Sequence, residues 1–261
     1  MKTRILTAIA ILAVVIPCLI FGGVLLEALI LFIIAGGTIE YLRLIKLDNN
    51  KVLLSGLVLL EVIGLYLPHD LILPYLGIIF LVLFSLPVFK EEFTPQVAFL
   101  CGAFAIFIVI VGNAFQEIYA QSALNIPLIL LATYGCDTFA YFTGRFFGKH
   151  KLNERISPKK TIEGSIGGWV FGCLLSILYW KFFMPESMFM LALLAGLFLP
   201  IFGQIGDLAF SAIKRSYGIK DYSNLLPGHG GIFDRIDSLL FNLVCFYFIM
   251  MVVGLWKRLF Y

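Results

Sequence analysis

Charged residues are scarce in this chain. They make up 13% of its 261 residues, against about 25% in an average soluble domain. That excludes a solvated surface around a single soluble core, and it leaves no basic field for a nucleic-acid partner. The five cysteines (Cys18, Cys101, Cys136, Cys173 and Cys245) include no C-x-x-C pair. Each lies in an apolar run and reads as a small buried hydrophobe. Also missing are G-x-x-x-x-G-K-[ST], a G-x-G-x-x-G strand–turn–helix and a nucleophile elbow. A soluble-type nucleotide-hydrolysing fold is therefore not supported. No A-x-A-like site follows the basic start Lys2–Arg4. The first apolar run is expected to stay as an uncleaved helix. No linker, low-complexity segment or internal repeat interrupts the chain.

What is present is apolar sequence. Hydrophobic residues make up 61%, phenylalanine alone numbers 26, and mean hydropathy is +1.00. A membrane-spanning helix takes roughly 20 apolar residues. Candidate spans fall near 5–22, 24–42, 52–68, 71–89, 95–113, 125–144, 165–184, 188–212 and 234–256. The expected fold is all-α, a polytopic membrane protein with about nine transmembrane helices in a single membrane domain, 1–261. Within it, 1–124 holds N-terminal helices with short connectors, and 125–261 holds helices joined by the larger polar loops. With the N-terminus inside, 16 of the 19 Lys and Arg fall on inside segments, and only Lys181, Lys257 and Arg258 fall outside. Such asymmetry sets orientation. It puts two polar loops, 145–164 and 213–233, on the cytoplasmic face.

The block from Gly203 to Ser238 concentrates the charge, histidine and glycine. Gly203, Asp207, Ser211 and Lys214 are spaced by four, four and three, so they share one helical face. A carboxylate near the end of an apolar helix needs a partner or a cation. For Asp207 the partner can be Lys214 or Arg215, and the cation can be a metal. Gly228, Gly230 and Gly231, around His229, let backbone approach a ligand closely. The next helix opens with free N–H groups, an anion site, yet Asp234 and Asp237 sit in its first turn. Those two can complement the helix dipole. They would repel a phosphate unless a divalent cation bridges the two, and Mg²⁺ suits few carboxylates plus substrate oxygens. Asp207 and Asp234 are 27 positions apart, at the inside ends of successive helices, where one ion can meet both. His229 can act as an acid or base, donate to phosphate or brace the loop. Lys214, Arg215, Lys220 and Arg235 can neutralise phosphates or simply line the membrane surface. Lys159 and Lys160 read in the same two ways. Asp137, within a span, makes an i, i+4, i+8 face with Tyr141 and Arg145, and an intramembrane acid is a functional suspect. Ser165, Gly167 and Gly168 permit close helix packing. Glu27, Glu40 and Glu61 lie near or within spans, and the sequence does not separate function from helix pairing for them.

The run Ser211-Ala212-Ile213-Lys214-Arg215, then Lys220-Asp221, then Leu226-Pro227-Gly228-His229-Gly230-Gly231-Ile232-Phe233-Asp234-Arg235-Ile236-Asp237 resembles the signature of the CDP-diacylglycerol synthase (phosphatidate cytidylyltransferase) family. The segments from Asp137 to Arg145 and from Ser157 to Gly164 are similar to that family's inside loop. The resemblance is strong after about Leu130 and weak before. It implies the reaction CTP + phosphatidate → CDP-diacylglycerol + pyrophosphate, with Mg²⁺ bound by Asp207 and Asp234. A second, monovalent cation such as K⁺ and a homodimer among the lipids of the cytoplasmic membrane also follow from the resemblance. Asp207, Asp234, Lys214, Asp237 and His229 are then the candidate catalytic residues. Lys159, Lys160, Ser211, Arg215, Lys220, Gly228, Gly230, Gly231, Arg235 and Asp137 are the candidate substrate-binding residues.

Three other classes compete. A CTP-dependent lipid kinase would transfer the γ-phosphoryl group, and the complete PGHGG-x-x-DR-x-D block disfavours it. A secondary transporter would place its charges near the bilayer midplane, whereas here they gather at one face. A CDP-alcohol phosphotransferase would need a D-G-x-x-A-R motif, which is missing.

Overall fold

The computed structural model describes residues 2–260. The side chains of Lys2, Arg4, Lys257, Leu259 and Phe260 lie outside the described residues, and so does the part of the charge count that rests on them. Helices dominate: α1 (Lys2–Phe21), α2 (Gly23–Leu44), α3 (Lys51–Tyr66), α4 (His69–Phe84), α5 (Leu86–Phe89), α6 (Pro95–Gln121), α7 (Asn125–Leu130), α8 (Cys136–Phe147), α9 (Ile162–Phe183), α10 (Phe189–Ser216) and α11 (Phe233–Phe260). A π-helical turn, Leu131–Gly135, joins α7 to α8. The chain is an all-α polytopic membrane protein. Among the described residues, seven helical segments are long and apolar enough to cross a membrane. The two other expected spans are helical but shorter: α1 is apolar over Ile5–Phe21, and α3 has 16 residues. At 1.5 Å per residue, α3 covers about 24 Å of a hydrocarbon core about 30 Å thick.

One feature departs from all-helical expectation. The polar loop 145–164 contains an antiparallel hairpin of β1 (Lys151–Asn153) and β2 (Ser157–Thr161), with Lys151 opposite Thr161. Thr161 then caps α9, its hydroxyl accepting from the Gly164 amide at 3.1 Å. The Glu163 carboxylate accepts the amides of Lys149 (3.0 Å) and His150 (3.2 Å). These bonds tie the hairpin to the helix that follows it.

The chain divides into two compact units, Met1–Asn113 with Asp221–Asp234, and Ala114–Lys220 with Arg235–Tyr261. In the first, Leu42, Leu53, Leu57, Ile79, Leu83, Phe93, Cys101, Ala105 and Val109 form the core. The segment 221–234 belongs to this unit. It packs on α2 where Gly36 and Gly37 leave room: a Cβ at Gly37 would lie 2.9 Å from the Phe233 ring, and one at Gly36 would meet the end of Ile232. Thr38 donates to Glu61 at 2.7 Å, so one of the buried acids pairs within the helices.

In the second unit, α9 packs on α8 and α10 through a seam of small residues. Gly164, Gly168, Gly172 and Ser176 recur every four residues and are buried. A Cβ on Gly168 would lie 2.7 Å from the Cys136 carbonyl and 2.8 Å from Ala140 Cβ. One on Gly172 would lie 2.8 Å from Pro200. Lipid tails are as apolar as leucine, so close backbone approach and van der Waals contact supply the helix attraction here.

Candidate active site

The second unit gathers charge where α8, the hairpin, α10 and α11 converge. Lys160, on β2, reaches Asp207 of α10 and forms an ion pair with its Oδ2. Both side chains are about three-quarters shielded, 28% and 26% exposed. Ser211, one turn on, donates to Asp207 Oδ1 at 3.2 Å. Asp137 of α8 lies within electrostatic reach of Lys160 and Asp207. Asp237 of α11 lies within reach of Asp207, Lys214 and Asp137. Three carboxylates and two ammonium groups thus gather at one place, with the Arg235 guanidinium in reach of Tyr134 beside Asp137 and Asp237.

The local structure explains these positions. The π turn before α8 inserts an extra residue per turn just upstream of Asp137, a device often found at functional sites. Its Thr133 accepts from Asn242 Nδ2 of α11 at 2.7 Å, and Tyr134 donates to the Arg235 carbonyl at 2.9 Å. Those two bonds fix α11, and with it Asp237, against α8. A Cβ on Gly203 would lie 2.8 Å from Asn242, and one on Gly206 would lie 3.0 Å from the Asp237 carbonyl. Glycine on that face of α10 is what lets α11 approach. Gln204 reaches back to α9, accepting from the Ser165 hydroxyl and donating to its carbonyl at 3.2 Å.

The remaining basic residues differ from one another in exposure. Lys214 is buried. Arg215 is exposed and donates to the Ile219 carbonyl at 2.9 Å, closing the C-terminus of α10. Lys159, Lys220 and Arg235 are exposed. On α8, Arg145 donates to the Tyr141 hydroxyl at 3.1 Å, so that helical face carries a real contact.

The glycine-rich segment, in the first unit, is a self-bonded turn. Leu226 and Gly230 form a bridge, with Leu226 N donating to the Gly230 carbonyl at 2.8 Å. The amides of His229 (2.8 Å) and Gly230 (3.1 Å) both donate to the Leu226 carbonyl. Gly228 and Gly230 take φ of +74° and +86°, conformations that strain any residue with a Cβ. Asp234 Oδ2 accepts the amides of Tyr222 and Gly231, each at 2.8 Å. The free N–H groups expected at the start of α11 also have a partner in the chain. Glu40 of α2 accepts Ile232 N at 2.8 Å and Phe233 N at 3.1 Å.

Two relationships escaped sequence reading. Spacing along α10 offered Lys214 or Arg215 as a partner of Asp207; it gave no sign of Lys160, which pairs with Asp207 from a hairpin 47 positions away. Glu40 had no local pattern to reveal its partners. Sequence spacing pointed instead to Arg43, three positions on along the same helix, which pairs with Asp48 at 3.6 Å.

The chain matches the cytidylyltransferase family over residues 2–253. The chain belongs to that family. Among its relatives, the phosphatidate cytidylyltransferase of Staphylococcus haemolyticus is 37% identical over 254 residues, covering 93% of this chain and 96% of the relative. The phosphatidate cytidylyltransferase of Bacillus subtilis is 34% identical over 267 residues, covering 96% and 97%. For a cytidylyltransferase, a cluster of carboxylates and lysines at the ends of apolar helices is a fitting chemistry. Its oxygen donors suit a hard divalent cation, although among the described residues no three His, Cys, Asp or Glu side chains already converge on one ion-sized point.

Proposed function

We propose that this protein transfers the cytidylyl group of CTP to phosphatidate, giving CDP-diacylglycerol and pyrophosphate, at the charged cluster of Asp137, Lys160, Asp207, Lys214 and Asp237. The Lys160–Asp207 pair, in a membrane protein of this family, carries the reading. One substrate is a lipid that stays in the bilayer, and the other is a soluble trianion or tetra-anion. A site at helix ends, on the cytoplasmic face that the basic residues favour, meets both.

The phosphatidate phosphate is already an anionic nucleophile. Its oxygen attacks the α-phosphorus of CTP, a new P–O bond forms, and the α–β P–O bond breaks to release pyrophosphate. No general base is required. The obstacle is repulsion between polyanions, so catalysis rests on placement and charge. Lys160 and Lys214 supply positive charge to phosphoryl oxygens. Asp207 holds Lys160 in place, and Ser211 fixes the Asp207 rotamer. Asp207 and, by the family resemblance, Asp234 are the carboxylates expected to hold Mg²⁺, with Asp237 within electrostatic reach of Asp207; the ion when bound would offset charge on the transferring group and the leaving pyrophosphate. A monovalent cation and a homodimer accompany this reading as family expectations.

The test is an assay of purified protein with phosphatidate, Mg²⁺ and CTP labelled separately in cytidine and in the γ-phosphate. Cytidine label entering lipid, with pyrophosphate released, is expected. Chelation should abolish turnover, and added Mg²⁺ should restore it. Transfer of γ-label alone would make the protein a lipid kinase instead.

A further inference from the structure

Two carboxylates close the segment 222–234 at both ends. Asp234 Oδ2 joins Tyr222 N to Gly231 N. Glu40 does the same one position further along. Its Oε1 accepts the Ser223 hydroxyl at 2.6 Å and Ile232 N at 2.8 Å, while Oε2 accepts Phe233 N at 3.1 Å. Glu40 is 2% exposed. An ionised carboxylate so deep in an apolar helix is costly unless fully hydrogen-bonded. Here it has three donors and the positive end of α11. Gly231 is required at the contact, since a Cβ there would lie 2.6 Å from the Glu40 Cδ. Phe233 is held beside it by edge contacts with Tyr222 and Phe104, at 5.5 and 5.9 Å between ring centroids. α1 adds one more bond, from the Thr7 hydroxyl to the Pro227 carbonyl at 2.9 Å.

We infer that Glu40 is a positioning residue for the reaction: its carboxylate sets the path of segment 222–234 and so aims Asp234 and the turn around His229. The inference rests on the cytidylyltransfer reading above. It also reassigns the first amides of α11. They serve an internal carboxylate, so substrate phosphates draw on side chains rather than on that helix terminus. Residues that hold a functional group in place typically carry 10–100-fold of activity.

The experiment compares wild type with Glu40→Gln, Glu40→Ala and Ser223→Ala in detergent micelles containing phosphatidate. Glutamine keeps one acceptor but turns an N–H toward Phe233 N. Each variant is read for thermal midpoint, for kcat and KM with each substrate, and for amide exchange at Ile232 and Phe233. The expected result for folded Glu40→Gln is kcat/KM for CTP down on the order of 10–100-fold, KM for phosphatidate little changed, and faster exchange at both amides. Ser223→Ala, which removes one of three donors, should show a smaller loss of the same kind. Wild-type kinetics in folded Glu40→Gln would overturn the inference. So would a lowered midpoint with unchanged kinetics per folded molecule, because that marks a structural role only. If the Glu40 variants do not assemble, wild-type kinetics in Ser223→Ala overturn it instead. If wild type itself transfers no cytidylyl group, the functional reading fails, while unchanged exchange in Glu40→Gln separately refutes the positioning role.

Discussion

Lys160 of the hairpin and Asp207 of α10 form an ion pair across the second unit, each about three-quarters shielded from solvent. In the function proposed above, a divalent cation at Asp207 would release the Lys160 ammonium to serve an incoming phosphate. Lys160→Met should therefore lower kcat on the order of 10²–10³-fold, while Lys159→Met, at an exposed position, should cost far less. Steady-state kinetics of the two folded variants check this. Equal effects would mean that the lysines act as a general membrane-surface charge.

Asp234 offers a cleaner separation of charge from geometry. Asn in its place can keep an oxygen facing the Tyr222 and Gly231 amides while losing the negative charge. Asp234→Asn should retain the fold and the amide protection of the segment, yet lose nearly all turnover. Wild-type turnover with intact protection would reduce Asp234 to a brace.

The small-residue seam gives a stability prediction. A side chain at Gly168 meets the backbone of α8, which cannot yield as a side-chain end can. Gly168→Val should destabilise the protein by about 1–3 kcal/mol, read as a lowered thermal midpoint in detergent. Gly77→Ala is the control. Nothing lies within 4 Å of a Cβ there, and a helix-interior alanine is favoured over glycine by roughly 0.5–1 kcal/mol.

Orientation is testable without activity. Single cysteines at Lys159 and Asn224, both exposed, in a background lacking the native cysteines, should react with an impermeant thiol reagent only from the cytoplasmic side. Labelling of either from the opposite side would overturn the orientation drawn from the basic residues.

The helices were readable because a run of roughly 20 apolar residues has few other fates. The positions of α2, α6, α9 and α10 agree with the expected spans to within several residues at most ends, apart from the C-terminal extension of α6. The hairpin was not readable. Ser157–Thr161 is short and polar, contains Pro158, and lacks the alternation that marks a strand. The π turn left no trace, since Leu131–Gly135 continues an ordinary apolar run. Within the site, the shared face of Asp207 and Ser211 followed from spacing, and their hydrogen bond bears the spacing out. The Lys160 partner did not follow, because helical spacing sees only one helix. Glu40 was opaque for the same reason, its donors lying 183 to 193 positions downstream.

That separation has a consequence for the order of synthesis. Glu40 leaves the ribosome long before Ser223, Ile232 and Phe233 exist, and it enters the bilayer without them. For most of translation its carboxylate must find other donors, water among them. The last helix therefore arrives at an acceptor that is already waiting, and closing the segment 222–234 is among the final events of assembly. Exchanging α2 for an apolar helix with no carboxylate in register would then cost more than packing, because the donors of the final turn would meet no acceptor.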